Sequence, residues 1–299
     1  MSIAQVALAM AAAFLGGPVI WSLALLVRSP RSSGPRSPWN WGLTLASALA
    51  FALAFNLIFF VQELFLVVPK AMTPGLKPTL FHNNHDWTGD NPLAELFQGA
   101  GAAATVVVGL AFLAWATRRS PRPPGLRLFV AWTGLLGLLE ALPQILIGTA
   151  VPQNDVGRAM SYLGFHAGTK VAACMAAMTA MALACGVAAP LFLSLLPGAE
   201  TQDPRGRARA MLRYAVLPAL MAVPLVVPFR VPGPLIENLF PPAVAAVTAS
   251  VWLQAWAWHA PRAPAAAVRL RWAIPALLGA LGLVLAVFQI VLRPGVNFF

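Results

Sequence analysis

The sequence predicts an all-α fold: a polytopic integral membrane bundle of about eight transmembrane helices, with both termini extracytoplasmic. Three observations carry that prediction: an apolar composition, a series of long apolar runs, and arginines confined to alternate connections. With 59% hydrophobic and 10% charged residues, and a mean hydropathy of +0.75, the chain has too little polar surface to coat a soluble globule. The formal charge of +11 falls in short arginine clusters between apolar runs, which is a topology signal and not a nucleic-acid patch. Membrane lipids are the partners that this pattern implies.

About 20 apolar residues span a hydrocarbon core as a helix. Runs of that kind cover Ile3 to Val27, Gly42 to Val68, Leu93 to Ala116, Leu128 to Ala150, Tyr162 to Leu196, Tyr214 to Phe229, Leu239 to His259 and Trp272 to Leu292. The first lacks any Lys or Arg before it, unlike a signal peptide, and reads as a retained span. The sixth is short and carries Pro218, Pro224 and Pro228, which predicts a kinked or re-entrant segment. Fourteen of the 20 basic residues lie in the first, third, fifth and seventh connections. The positive-inside rule makes those connections cytoplasmic, as in a bacterial inner membrane. Cys174 and Cys185 stand eleven residues apart on one run, roughly 16 Å along a helix, too far for a disulfide.

The chain reads as one transmembrane domain over residues 1–299. The phrases "PLAELF" at Pro92 and "PLIENLF" at Pro234 would fit a parallel duplication of four helices each, about 1–150 and 151–299.

Polar residues concentrate on the extracytoplasmic side. Three ionisable groups fall inside apolar runs, Glu63, Glu140 and Lys170, and a charge in hydrocarbon marks a pair or a site. Counted from the connection Val151 to Ser161, Glu140 and Lys170 reach equal depth on the fourth and fifth helices, and so do Gln144 and His166. The expectation is a buried ladder of Glu140 with Lys170 and Gln144 with His166, with Tyr162 a turn above.

The segment "TLFHNNHDWTGDNPL", Thr79 to Leu93, is the most polar in the chain. His82 and His85 form an H-x-x-H pair that reaches one divalent metal, such as zinc, if the backbone makes a helical turn. Asp86, His166 or Glu63 would complete the set. Asn83, Asn84 and Trp87 are candidate substrate contacts beside Gln144 and Tyr162, while Glu63, Glu140 and Lys170 are candidate catalytic groups. The expected function is a metal-assisted membrane-embedded hydrolase or transferase acting on a lipid-like or periplasmic substrate. An ion-coupled transporter using the Glu/Lys/His cluster is the alternative, and a non-catalytic membrane subunit or assembly factor the third.

Overall fold

The computed structural model describes residues 2–29, 38–119, 123–195, 201–261 and 273–299. The chain is an all-α, polytopic membrane bundle. Among the described residues, eight helical spans are long and apolar enough to cross a bilayer. They are built from α1 (Ile3–Arg28), α2 (Trp41–Ala71), α3 (Leu93–Phe97) with α4 (Ala100–Arg118), and α5 (Pro124–Ala141) with α6 (Pro143–Ala150). After a short α7 (Asp155–Tyr162) come α8 (Ala167–Leu193) and α9 (Pro204–Met211), which runs through a π-helical turn into α10 (Leu217–Arg230). The last two spans are α11 (Leu235–Ala257) and α12 (Ala273–Ala286), α12 ending in a π-helical stretch to Leu292.

The axis of the bundle is α2, a helix apolar on every side and therefore suited to a fully surrounded position. Asn40 caps it by accepting a hydrogen bond from the Leu43 N–H. Ala46, Ala48, Ala50, Ala52 and Ala54 are fully buried, and their small size lets α4, α5, α10 and α12 pack around α2. Glycines allow the closest helix approach: a Cβ on Gly137 of α5 would lie 2.6 Å from the Gly109 Cα of α4. Small residues hold membrane helices together because packing, not water exclusion, drives their association.

The sixth span differs from its expected short form. It runs unbroken from Pro204 to Arg230, because Arg207 is buried and donates to the carbonyls of Thr201, Ala257 and Trp258. An arginine that caps a neighbouring helix end can sit inside a span that its charge seemed to terminate.

One face of the bundle carries a small antiparallel sheet. Strands β1 (Lys77–Leu80) and β2 (His85–Thr88) form a hairpin, closed by the Phe81 N–H donating to the Asn84 carbonyl at 2.9 Å. The other edge of β1 pairs with β3 (Val296–Asn297) near the C-terminus. Beside the hairpin, α7 packs on α6 through Gly148 and Gly157, where a Cβ on Gly148 would lie 2.5 Å from the Gly157 nitrogen.

Replacing Gly137 with valine forces α4 and α5 apart and should cost about 1–3 kcal/mol, as overpacking does. The expected reading is a clear fall in thermal midpoint in detergent. Gly279→Ala, at a position with no atom within 4 Å of the added carbon, should leave it unchanged or slightly raised.

Candidate functional site

Beneath the hairpin lies a cavity of about 510 Å³. Its wall comes from α2 (Phe59, Gln62, Glu63), the hairpin (Asn83, Asn84, His85, Trp87), α5 and α6 (Leu139, Glu140, Gln144, Ile147), α7 (Asp155, Arg158), Arg230 at the end of α10, and the first turns of α11 (Glu237, Phe240, Val244).

The hairpin determines which of its side chains enter. Successive residues of a strand point to opposite sides; His85 and Trp87 are turned inward while Asp86 and Thr88 are exposed. His85 Nδ1 lies 2.8 Å from Glu63 Oε2, and each of the two side chains is only 7% exposed. His85 Nε2 lies 3.1 Å from Gln98 Oε1, Gln98 being buried at the junction of α3 and α4. A neutral ring that donates from Nδ1 to Glu63 has a lone pair on Nε2 and is matched by the amide NH₂ of Gln98; a doubly protonated ring is matched by its oxygen.

Trp87 stacks nearly parallel to the His85 ring at 5.8 Å between centroids. It is held between two cations, with Lys70 Nζ at 4.3 Å and the Arg158 guanidinium at 5.1 Å. Arg158 donates to both carboxylate oxygens of Glu95, at 2.6 and 2.5 Å, and that bidentate contact holds the guanidinium more firmly charged. Asp155 opens α7 beside this group. Burial, and then the charge of Glu63, push its carboxyl above the usual range, so it keeps a proton longer than an exposed aspartate.

Deeper in the cavity, Gln144 donates to Gln62 at 2.7 Å. Arg230 is 5% exposed, with its guanidinium 4.0 Å over the Phe59 ring. Two of its nitrogens, Nε and Nη1, and the Oε1 oxygen of Glu140 have no hydrogen-bond partner among the described residues.

The structure therefore brings Glu63, His85, Asn83, Asn84, Trp87, Gln144 and Glu140 to one cavity and leaves other candidates outside it. His82 is turned to the Val231 carbonyl, 3.1 Å from Nε2, because it lies in the hairpin loop and not on a helical turn with His85. Asp86 is exposed and accepts from the Trp87 N–H. Among the described residues, no group of three or more His, Cys, Asp or Glu side chains stands where it could hold one metal ion.

The ladder is replaced by other partners. Residues 155–162 are not a loop but α7, and the chain turns at Gly164 (φ +68°) before α8 begins. His166 is thus the exposed N-cap of α8, its Nδ1 accepting from the Thr169 N–H. Lys170 falls on the first turn of α8 and Tyr162 is exposed. Gln144 finds Gln62 in place of His166, and the charge that faces Glu140 is that of Arg230 in place of Lys170.

The additional lining residues Asp155, Arg158, Arg230 and Glu237 were not among the sequence candidates. Their signal was present: Arg158 and Arg230 are isolated cations on the side that the arginine bias leaves depleted. No protein-family model, curated protein sequence or solved structure gives a match to the chain.

His82 gives the roof a pH dependence. Its burial holds the imidazole below its ordinary value of 6.5, so below that pH the unfolded chain takes up a proton that the folded state resists. The stability contributed is complete above 6.5 and is lost as pH falls through the folded value. Chemical denaturation at stepped pH should show this decline, and His82→Asn, which keeps a donor for the Val231 carbonyl, should flatten it.

Proposed function

We propose that the chain is a membrane-embedded hydrolase or transferase that acts on an amphiphilic substrate at the extracytoplasmic face of a bacterial inner membrane. The observation that carries this reading is His85, oriented by Glu63 at 2.8 Å and opening with Asp155 onto one cavity. Glu63 accepts a hydrogen bond from the Nδ1–H and so leaves the Nε2 lone pair for the substrate. A water or substrate hydroxyl that displaces the Gln98 amide gives its proton to Nε2 as its oxygen bonds to the acyl carbon or phosphorus of the substrate ester and the bond from that atom to the leaving oxygen breaks. The resulting imidazolium is stabilised by the Glu63 carboxylate. Asp155 is suited to the complementary role: a carboxyl that keeps its proton can pass it to the leaving oxygen. Proton transfer in this scheme belongs to side chains of the cavity, and no step is assigned to a metal.

A conduit is less well supported. Below the cavity Phe51, Phe55, Trp132, Leu135 and Leu136 are completely buried, and Phe51, Trp132 and Phe192 form a chain of aromatic contacts at 4.9 and 4.5 Å. An alternating-access carrier needs a polar path through that layer. Docking of a protein partner on Trp87 is also less favoured, because that ring is engaged by Lys70 and Arg158.

The test is turnover. Protein reconstituted in vesicles of total bacterial lipid is incubated, and the lipids are quantified over time by mass spectrometry. One lipid class should be consumed, and His85→Asn and Glu63→Gln should each slow this by about 100-fold or more, the usual weight of a general base, without lowering the thermal midpoint. Full turnover in His85→Asn, or no consumption of any lipid by the wild type, would overturn the reading.

A further inference from the structure

We propose that the cavity binds a zwitterionic headgroup, with an oxyanion on Arg230 and an amine on the carboxylates around it, as in a phosphoethanolamine group. This rests on the amphiphile reading above and names the chemistry that the site would select. The cavity is lined by four carboxyl groups, Glu63, Glu140, Asp155 and Glu237, and by two guanidinium groups, Arg158 and Arg230. Arg158 is already committed to Glu95 by two hydrogen bonds. Arg230 is not committed: among the described residues it makes no ion pair within 4.0 Å, and its Nε and Nη1 are buried without partners there.

A guanidinium that is 5% exposed and lacks partners for two donors carries an unmet desolvation cost. Its contact with Phe59 offsets only part of that, since a phenyl face attracts a cation but accepts no hydrogen bond along the guanidinium edge. The carboxylates whose charge it feels are Glu63, Glu140 and Glu237, yet none of them closes on it. A ligand oxyanion completes Arg230. An oxyanion alone, however, would enter a wall with more acids than free cations and be repelled by Glu63 and Glu237. A ligand carrying an ammonium close to its oxyanion meets both demands, with the Glu140 Oε1 oxygen and the Glu237 carboxylate available to accept from the amine.

The apolar part of the wall indicates where a hydrocarbon tail leaves. Leu139, Ile147, Phe240 and Val244 line the cavity, and Phe240 is also 49% exposed, so it stands at an open edge of the site. Leu235 and Ile236, one turn earlier, are exposed beside it.

The experiment uses the full chain carrying His85→Asn, so that turnover does not deplete the ligand. It is placed in nanodiscs of phosphatidylglycerol doped with phosphatidylethanolamine, and retained lipids are counted by native mass spectrometry. Phosphatidylethanolamine should be retained about tenfold above its share of the disc, a preference the size of one charge-assisted contact. Adding Arg230→Gln should abolish retention of both lipids, and adding Glu237→Gln, at an exposed position that tolerates change, should reduce the preference for the amine. Soluble phosphoethanolamine in excess distinguishes the sources: displacement of the lipid means that the headgroup alone is the ligand, and no displacement means that the tail is required. Equal retention of the two lipids, preference for phosphatidylglycerol, or a preference untouched by Glu237→Gln would overturn the zwitterion assignment. Selective retention in a protein whose turnover is independent of His85 would overturn the catalytic reading and leave this one standing.

Discussion

A bilayer interior offers no water to a polar group, and every other feature of this protein is arranged around that constraint. Backbone groups meet it by forming helices, and α2 meets it most completely, with alanines buried on all sides and Phe51, Phe55 and Ile58 filling the gaps between neighbours. Side chains meet it by segregation. The lower half of α2 carries only small or amide polar groups, Thr44, Ser47 and Asn56, which bond within the bundle, while Gln62, Glu63 and Lys70 gather toward the hairpin end. Each finds a partner there: Gln144 for Gln62, His85 for Glu63, and the Leu66 carbonyl with the Trp87 ring for Lys70. The same helix thus seals the bundle over most of its length and equips a polar cavity at one end.

Two of the exceptions to that satisfaction, Arg230 and Glu140, line the cavity, where a ligand could relieve them. A charge near the middle of a span costs about 2.5–3.5 kcal/mol on the mildest insertion scale, and less toward an end. Arg230, the last residue of its span, lies toward the inexpensive end of that range but is still buried. Glu140 lies deeper along its helix and also has an unpartnered oxygen. Replacing both with apolar residues would stabilise a protein that had only to fold. Their position beside an ion-paired histidine, on the wall of one cavity, is the feature on which the proposed site rests.

The architecture was legible in the sequence because hydropathy and charge distribution act over whole spans. Eight runs became eight helical spans, since a stretch of some 20 apolar residues has no other way to satisfy its backbone. The site was legible only in part. Glu63 and the segment from His82 to Trp87 were found because polar groups are conspicuous against an apolar background. Their partners were not, because depth was counted from a connection assumed to be irregular. An eight-residue helix there, with the turn at Gly164, moved His166 and Lys170 to the start of α8 and brought Asp155 and Arg158 inward. Likewise, a helical turn puts residues three apart on one side, whereas a loop followed by a strand does not. That local difference separated His82 from His85. The alternation of His85 and Trp87 with Asp86 and Thr88 was the strand signal within the segment, and it was the feature that mattered.

The roof also constrains how the cavity can be reached. The hairpin is tied at three points: β1 pairs with β3, His82 and Asn83 contact the carbonyls of Val231 and Arg230, and Trp87 is clasped by Lys70 and Arg158. Gln289 adds a further tie by donating to the carbonyls of Pro228 and Val231, which joins the last span to the turn on which the hairpin rests. Lifting this roof would break contacts in four separate parts of the chain at once. The first turns of α11 have no comparable hold: Leu235, Ile236 and Phe240 are exposed, and Pro241 and Pro242 remove two backbone donors just beyond them. On the proposed reading, an amphiphile in the plane of the membrane would approach along that wall, its headgroup entering past Phe240 while its tail stays in lipid. Fixed roof, apolar side wall and charged interior are consistent with lateral capture of a lipid more than with uptake of a solute from above.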